Sequence, residues 1–254
     1  MHSIKIGLVQ MRAEKGALEE NFTRIKQYIR EALKQGLDFL CLPEMSITGY
    51  INPLKQPQFA LNLTDPEIAR VVELTSGTNL TLIAGFVERH PEGQKPYITQ
   101  FVAYRGKLMG YYRKITIEGD EAPYFSAGSA IRTFDYLPIP FGLAICADIN
   151  NPQVFSGSAE AGAKIIFHAA APGLYGEQAT RNWSSGYRWW QEECSTKIGR
   201  YARENGVYIG IATQAGRTID EDFPGGGYLF APNGECIAAT PNWSPGVLYA
   251  DLSL

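Results

Sequence analysis

An apolar strand, an amphipathic helix and a second apolar strand open this chain, and their order constrains the fold more than any other feature of the sequence. Residues 3–11 are rich in β-branched side chains, and residues 38–42 form a second short apolar run. Between them, Leu18–Gln35 has apolar residues at three- and four-residue intervals and is followed by Gly36, which is typical of a helix and its end. These segments predict a β-α-β unit. Glu44 lies just past the carboxyl end of its second strand, where open α/β sheets place their ligands.

The rest of the chain continues this alternation of strands and helices. Gly93 and Gly106 mark turns between central strands that we expect to pair antiparallel. The remaining predicted elements are a helix at 66–74, strands at 80–88, 97–104, 107–115 and 139–145, a helix at 152–163, a strand at 164–170, a helix at 188–205, and strands at 207–213, 227–231 and 246–251. Residues 118–132 are predicted to be a loop, and no segment has the composition of a linker. We therefore predict an α/β fold in which helices cover the outer faces of two sheets, with residues 1–254 forming one domain.

Composition excludes several classes of function. The chain has 254 residues, of which 45% are hydrophobic, and this is enough to bury a large core. The formal net charge is −3, and lysine and arginine are spread along the sequence, so no basic surface for nucleic acid or an anionic membrane is expected. No apolar run approaches the roughly 20 residues that span a bilayer, and residues 1–10 lack the features of a signal peptide. We expect a cytoplasmic protein that acts on small molecules.

Cysteine and histidine spacing gives no support for disulfides or metal. The four cysteines are far apart and include no CxxC pair, so reduced thiols are expected: Cys41, Cys146, Cys194 and Cys236. The three histidines form no HExxH motif and no cluster with cysteine. The sequence therefore predicts neither a metal site nor a cofactor.

Cys146 is the candidate nucleophile. It stands where the apolar run 139–145 stops and a polar stretch begins, which is the position of a nucleophile on a strand-to-helix turn. The alternative is a small buried core residue, which is the commoner fate of a cytosolic cysteine. A thiol also needs a base, because little of it is thiolate at neutral pH. His168, near the end of the next strand, is one candidate for that base, although a lone histidine there is more often structural.

Glu44 and Lys114 offer a second route to an activated thiol. Glu44 follows an apolar strand and could act as a base, or it could be a solvated loop charge. Arg113 and Lys114 point to opposite faces of their strand, so one of the two is expected to turn inward. An inward lysine needs carboxylate partners, and Glu44 and Glu121 are available. The alternative is an exposed lysine that protects a strand edge.

Three short motifs follow one another at wide spacing: LPE at 42–44, YRK at 112–114 and C-x-D at 146–148. In this order they resemble the signatures of the carbon-nitrogen hydrolase family, which includes nitrilases, aliphatic amidases and N-carbamoyl amine hydrolases. Flanking stretches also match: KIGLVQM at 5–11, EAPYFSAG at 121–128, RENG at 203–206, FPGGGYLFAPNGE at 223–235 and the closing GVLYADLSL. The resemblance covers essentially the whole chain.

This resemblance implies a fold and a set of roles. The fold is a four-layer α-β-β-α sandwich, and two subunits normally associate into a longer stack, so a homodimer or higher homo-oligomer is expected. Cys146 would be the nucleophile, Glu44 the general base and acid, and Lys114 the group that stabilises the tetrahedral intermediate. Glu121 would be an additional glutamate that shapes the pocket. We place substrate contacts at Tyr50, Ala147, Ala170 and Ala171.

The cysteine motif favours amides over nitriles. Asp148 stands two residues after the cysteine, as in amidase-type members, whereas nitrilases in the narrow sense resemble C-W-E. Unlike many members, the chain has no FPE-like turn and no arginine between Cys146 and Lys164. The predicted activity is hydrolysis of a small amide or N-carbamoyl compound through a cysteine thioester. The alternatives are a nitrilase, an acyl transferase with the same three residues, and a catalytically silent member that binds metabolites.

Residues 172–190 are predicted to form a loop, which combines several aromatic residues with Arg181 and Arg188. Its aromatic residues are Tyr175, Trp183, Tyr187, Trp189 and Trp190. They could form a pocket wall for an apolar substrate, with an arginine that binds a carboxylate. They could equally form a dimer interface or pack beneath the following helix.

Overall fold

The computed structural model describes residues 3–135 and 139–253. The strands in this part of the chain are β1 Ser3–Gln10, β2 Phe39–Cys41, β3 Thr81–Glu88, β4 Tyr97–Tyr104, β5 Lys107–Arg113, β6 Thr133–Phe134, β7 Phe141–Ile145, β8 Ile165–Ala170, β9 Tyr208–Thr213, β10 Ala215–Arg217, β11 Asp222–Pro224, β12 Tyr228–Phe230, β13 Cys236–Ala239 and β14 Gly246–Ser253. The α-helices are α1 Leu18–Gln35, α2 Pro66–Glu73, α3 Pro152–Glu160, α4 Trp183–Glu193 and α5 Gly199–Asn205.

Two six-stranded mixed sheets form the centre of the fold. The first has the order β14-β1-β2-β3-β4-β5, and the second has the order β13-β12-β9-β8-β7-β6. In the first sheet β1, β2 and β3 are parallel, and β3, β4 and β5 pair antiparallel, as predicted from their glycine turns. In the second sheet β7, β8 and β9 are parallel. Candidate site residues follow a parallel strand in each sheet: Glu44 comes after β2, and Cys146 comes after β7.

Apolar side chains join four layers. Phe39 of the first sheet contacts Phe141 and Phe167 of the second, with ring centroids 5.2 and 5.3 Å apart. The outer face of the first sheet packs against buried residues of α1 and α2, including Ile25 and Ile29. On the far side, α3 and α5 cover the second sheet. The α/β fold and its α-β-β-α layers are confirmed.

Helix α1 shows how the sequence pattern fixes the position of a loop near the site. Its bounds agree with the prediction, and Gly36 ends it with a left-handed φ of 65°. Its apolar face is buried, as the three- and four-residue spacing requires. The buried side-chain amide of Asn21 donates to the carbonyls of Ile47 (3.0 Å) and Glu14 (2.7 Å). The helix thereby holds the segment that follows Glu44.

The helix predicted at 188–205 is longer than expected. It begins at Trp183 as α4 and continues through a π-helical turn, Cys194–Ile198, into α5. Asn182 caps it by accepting a hydrogen bond from the Ser185 backbone at 3.1 Å. The segment 172–190 is therefore half loop and half helix rather than one loop. The short strands β6, β10, β11 and β13 were not predicted, because two to four residues carry too little periodicity.

We expect Phe141→Ala to lower the free energy of unfolding by about 3–5 kcal/mol, since the ring is fully buried between the sheets. Urea denaturation measures this. Leu54→Ala is the matched control, because Leu54 is 72% exposed and its truncation should change stability by less than about 0.5 kcal/mol. Equal losses for the two variants would contradict the assignment of the inter-sheet core.

Candidate active site

Three strand ends bring the predicted residues to one place. Glu44 follows β2, Lys114 follows β5, and Cys146 follows β7 of the other sheet. Lys114 and Glu44 are fully buried, and Cys146 is half-buried at the base of a cavity. The site is thus assembled where the two sheets face each other.

Lys114 is the centre of the charge cluster. Its Nζ lies 2.9 Å from Oε1 of Glu44, and 2.7 and 2.8 Å from the two carboxylate oxygens of Glu121. Burial lowers the pKa of Lys114, but the carboxylates of Glu44 and Glu121 outweigh it and raise the pKa above its ordinary value. Arg113 points the other way and pairs with Glu88 at 2.5 Å. The prediction that one of the two turns inward and pairs with carboxylates is confirmed.

Glu44 has the electrostatic setting of a proton acceptor near neutral pH. Burial raises its pKa to about 7, the Lys114 charge opposes this rise, and the Glu121 charge adds to it. Oε1 pairs with Lys114, whereas Oε2 is buried and accepts from no N–H or O–H group of the described residues. The Cys146 side chain hydrogen-bonds this carboxyl group and lowers its pKa. The side-chain amide of Gln214 donates to the Glu44 carbonyl at 2.9 Å and fixes the backbone. One carboxylate oxygen is therefore free to receive a proton.

Cys146 sits on a strained turn. It follows β7 and begins the short helical turn Cys146–Asn150, with φ of +38°, a conformation that non-glycine residues rarely adopt. Burial raises the pKa of its thiol, and so does the Glu44 charge, whereas the Lys114 charge and a hydrogen bond with the Ala171 backbone lower it. The resting group is thus a thiol, which needs a base to become a nucleophile.

Asp148 ties this turn to the lysine segment. It is fully buried and accepts hydrogen bonds from the Tyr112 hydroxyl (2.7 Å), the Ile145 backbone (2.9 Å) and the Thr116 backbone (2.8 Å). Burial raises its pKa, although these three hydrogen bonds favour the carboxylate. The aspartate of the C-x-D motif therefore positions the nucleophile relative to Lys114.

His168 contacts the backbone of the cysteine rather than its sulfur. Its Nε2 lies 3.0 Å from the Cys146 carbonyl oxygen, so this nitrogen carries the proton and donates. Burial lowers the pKa of His168 to about 4, which keeps the ring neutral. The ring packs near Phe155 and Trp190. The alternative pairing of Cys146 with His168 has no geometric support.

A cavity of about 610 Å³ opens from Cys146 to solvent. Three of the four expected substrate-contact residues line it, namely Tyr50, Ala147 and Ala171. The Tyr50 hydroxyl donates to Glu121. Ala170 does not line the cavity, so that expectation is wrong: it is fully buried in β8, where its carbonyl accepts from Gln214.

The segment 172–190 divides into a cavity wall and a packed helix. Leu174 and Tyr175 line the cavity, and the same residues border a neighbouring pocket of about 500 Å³ that reaches Trp189. Trp190 is buried, as the packing alternative expected, but it lies on α4 itself rather than beneath it, and its Nε1 donates to Thr213 of β9 at 3.0 Å. Trp189 is 40% exposed and is not packed in this way. Arg181 is not available to bind a substrate carboxylate, because its guanidinium pairs with Asp222 at 3.0 Å.

Several contributors at the site were not predicted. Lys15 and Glu221 line the cavity and form an ion pair at 2.9 Å, although they are 206 positions apart in the sequence. Gln214 supports Glu44 across a similar separation. No local pattern distinguishes these residues, because their partners lie in distant segments. The asparagine at position 182 is an exception, since its capping role is readable from the sequence.

Among residues 3–135 and 139–253, no group of three histidine, cysteine or acidic side chains is placed to hold a metal ion. No helix in this part of the chain is both long and apolar enough to cross a bilayer. His2 lies outside the described residues. The four cysteines are all free thiols, of which Cys41 and Cys194 are buried and Cys236 is exposed.

Comparison with known proteins agrees with this geometry. The family model described as carbon-nitrogen hydrolase matches residues 5–254. The chain belongs to the carbon-nitrogen hydrolase family. The match spans every element that carries Glu44, Lys114 and Cys146.

Curated relatives in this family are distant in sequence. The glutamine-dependent NAD(+) synthetase of Acinetobacter baylyi is 25% identical over 259 residues, which cover 100% of this chain and 45% of that protein. The chain therefore spans about half the length of this relative. A nitrilase of Pyrococcus abyssi is 26% identical over 255 residues, which cover 99% of this chain and 90% of that protein.

A solved structure shares the fold. An amidase from Nesterenkonia superposes with a TM-score of 0.82 over 98% of this chain and 90% of that chain, at 23% sequence identity. The likeness establishes the nitrilase-like α-β-β-α architecture. At this identity it carries no conclusion about the substrate.

We expect Asp148→Asn to lower the free energy of unfolding by about 1–3 kcal/mol, because the amide nitrogen would face a backbone donor in a buried site. Thermal or urea unfolding measures the loss. Asp251→Asn is the control, since Asp251 is exposed and should tolerate the same change. Equal stability of the two variants would show that the Asp148 contacts do not hold the turn.

Proposed function

We propose that this protein is an amidase-type hydrolase that cleaves a carbon–nitrogen bond in a small amide or N-carbamoyl compound through a cysteine thioester. The observation that carries the proposal is the buried Lys114, held by Glu44 and Glu121 beside a half-buried Cys146 at the base of a cavity. A structural lysine would need the two carboxylates, but not a thiol and a cavity beside them. A nucleophile, a base of pKa about 7 and a fixed positive charge are what acyl transfer from an amide requires.

The first half of the reaction forms the thioester. Oε2 of Glu44 takes the thiol proton, and the thiolate of Cys146 attacks the carbonyl carbon of the substrate. The Lys114 ammonium and the Ala147 amide stabilise the resulting oxyanion. The protonated Glu44 then gives its proton to the leaving nitrogen, the carbon–nitrogen bond breaks, and ammonia or an amine departs.

The second half consumes water. Glu44, now a carboxylate again, removes a proton from a water molecule that attacks the thioester carbonyl. The same two donors stabilise the second tetrahedral intermediate. Its collapse breaks the carbon–sulfur bond, Glu44 returns the proton to the sulfur, and the carboxylic acid leaves. An N-carbamoyl substrate follows the same steps, and its product is carbamic acid, which loses carbon dioxide.

Amides are favoured over nitriles by two observations. Asp148 gives the cysteine motif its amidase-type form and holds the nucleophile turn through three hydrogen bonds. Two of the similar proteins also point to amides: the Nesterenkonia protein is an amidase, and the Acinetobacter synthetase depends on glutamine, whose side chain is a primary amide. The Pyrococcus relative is a nitrilase, so nitriles belong in any substrate screen.

We expect ammonia release from small amides, with Cys146→Ala as the blank. Glu44→Gln should lower kcat at least about 10²-fold, because it removes the general base and acid. His168→Gln is the matched control: glutamine can still donate to the Cys146 carbonyl, so activity should stay within about tenfold of wild type.

If His168→Gln were inactive while Glu44→Gln stayed active, the assignment of Glu44 as the base would be overturned. No ammonia above the Cys146→Ala blank, across aliphatic and aromatic amides, N-carbamoyl amines and nitriles, would favour the silent metabolite-binding alternative. Hydroxamate formed in the presence of hydroxylamine would reveal the acyl-transfer alternative, since an added amine then intercepts the thioester.

We expect kcat/KM to fall about tenfold per pH unit below a pH of about 7. Burial raises the pKa of Glu44 to about 7, and only the unprotonated carboxylate can accept the thiol proton, so protonation removes activity as the pH drops. Rates measured with a neutral amide across the pH range give the profile, and circular dichroism checks that the protein stays folded. A lower limb at the ordinary carboxylate pKa of 4.5 would contradict this role.

Association into a homodimer or higher oligomer remains a prediction, as does a cytoplasmic location. Sedimentation velocity tests the first. Exposed aromatic residues such as Trp189, which is 40% exposed, are candidates for burial in such an interface.

A further inference from the structure

We infer that the cavity selects amides whose far end is cationic or neutral and discriminates against those that end in a carboxylate. This inference rests on the proposed function, because it concerns the substrate of the same site. It is carried by the charges of the cavity wall. Each lysine there is already neutralised by carboxylates, and further carboxylates stand at the entrance.

In the resting site Lys114 has no proton free for the carboxylate of an arriving substrate. During the reaction Glu44 takes the thiol proton, its contact with Lys114 weakens, and only then can the ammonium face the oxyanion. Its ammonium has three hydrogen-bonding protons, and it contacts three carboxylate oxygens of Glu44 and Glu121 at 2.7 to 2.9 Å. A carboxylate on the substrate could reach Lys114 only by displacing one of these partners. The displaced glutamate would then be a buried charge without compensation.

Lys15, the other lysine on the wall, is paired in the same way. Its Nζ lies 2.7 Å from Asp220 and 2.9 Å from Glu221, and its side chain is 13% exposed. The pair joins the loop before α1 to the loop between β10 and β11. Breaking it would separate two segments that border the cavity.

Arg181 offers no alternative cation, since it faces the neighbouring pocket rather than this cavity. Its Nε pairs with Asp222, and its terminal nitrogens donate to the carbonyls of Leu174, Tyr175 and Gly176. The guanidinium therefore holds the loop that forms the cavity wall. Among the described residues that line the cavity, no lysine or arginine is left without a carboxylate.

The balance of charge on the wall is negative. Two lysines are opposed by four acidic side chains, Glu118, Asp120, Glu121 and Glu221. Glu118 and Asp120 are exposed near the entrance, and Asp120 has no ion-pair partner among the described residues. A carboxylate entering here meets like charge and loses water without gaining a partner. An ammonium meets the opposite charge.

Aromatic rings complete a surface suited to a cation. Tyr50, Tyr124, Phe125 and Tyr175 line the same cavity, and Tyr175 is 86% exposed at its border. The faces of such rings attract ammonium groups electrostatically and also pack against methylene chains. A short alkyl amide that carries an amine at its far end fits both features. A neutral alkyl amide gains only the packing of its methylene chain against the rings.

Three amides of matched length test the inference: 4-aminobutanamide, pentanamide and glutaramate, which differ in the charge at one end. We expect kcat/KM for ammonia release at neutral pH to decrease in that order. The cationic and anionic compounds should differ at least about tenfold. The difference should shrink at high ionic strength, because salt screens the entrance carboxylates.

The double variant Glu118→Gln, Asp120→Asn should reduce the ratio of kcat/KM for 4-aminobutanamide to that for glutaramate by at least about threefold. Glu160→Gln is the control of the same chemistry. Glu160 is exposed on α3 and does not line the cavity, so its charge is screened from the substrate and the ratio should not change.

A second measurement does not depend on turnover. Neutral iodoacetamide and anionic iodoacetate alkylate thiols by the same displacement, in which sulfur replaces iodide. We expect Cys146 to prefer iodoacetamide more strongly than the exposed Cys236 does, by at least about threefold after normalisation. Mass spectrometry of each peptide gives both rates in one sample.

If kcat/KM for glutaramate equalled or exceeded that for pentanamide, the inference would be overturned and the proposed function would be intact. Equal reagent preference at Cys146 and Cys236 would also overturn it. If none of the three amides releases ammonia while the reagent preference holds, the proposed function fails for amides, and the charge selectivity of the cavity stands.

Discussion

The buried ammonium of Lys114 is the interaction on which the rest of the site depends. A lysine without solvent contact is tolerated only when carboxylates pair with it, and here Glu44 and Glu121 supply three oxygens within 2.9 Å. These residues come from the loop after β2, the end of β5 and the turn that follows it. The fold brings these segments together, and the ion pairs are present without a substrate, so the positive charge is fixed before any substrate arrives.

Two hydrogen-bonded connections between the sheets set the geometry around that charge. Asp148, after β7, accepts from Tyr112 and Thr116 on either side of Lys114. Gln214, after β9, donates to the carbonyl of Glu44. Each connection is buried, so its loss would leave polar groups without partners. The nucleophile on one sheet and the base on the other are thereby held in fixed relative positions. His168 donates a hydrogen bond to the Cys146 carbonyl and does not contact the sulfur.

Much of this arrangement could be predicted because it follows local periodicity. The bounds of Leu18–Gln35 agree with the structure, and strand alternation correctly assigned opposite faces to Arg113 and Lys114. Predictions failed where local pattern is weak. Helix α4 begins at Trp183 because Asn182 caps it, although the following serines and glycine favour helix poorly. Ala170 continues a buried strand and does not reach the cavity, whereas the next residue, Ala171, does.

By itself, the sequence determined the element order, the α/β class and the three strand-end residues, since strand and helix periods are properties of short segments. It also carried the family motifs. Only the tertiary structure decided which charged side chains form ion pairs within the protein and which could bind a ligand. Arg181 reads as a possible carboxylate binder along the chain, but Asp222, 41 positions away, neutralises it. The same holds for Lys15 with Glu221. Ion pairing depends on distances between segments far apart in sequence, and those distances exist only after the two sheets have packed.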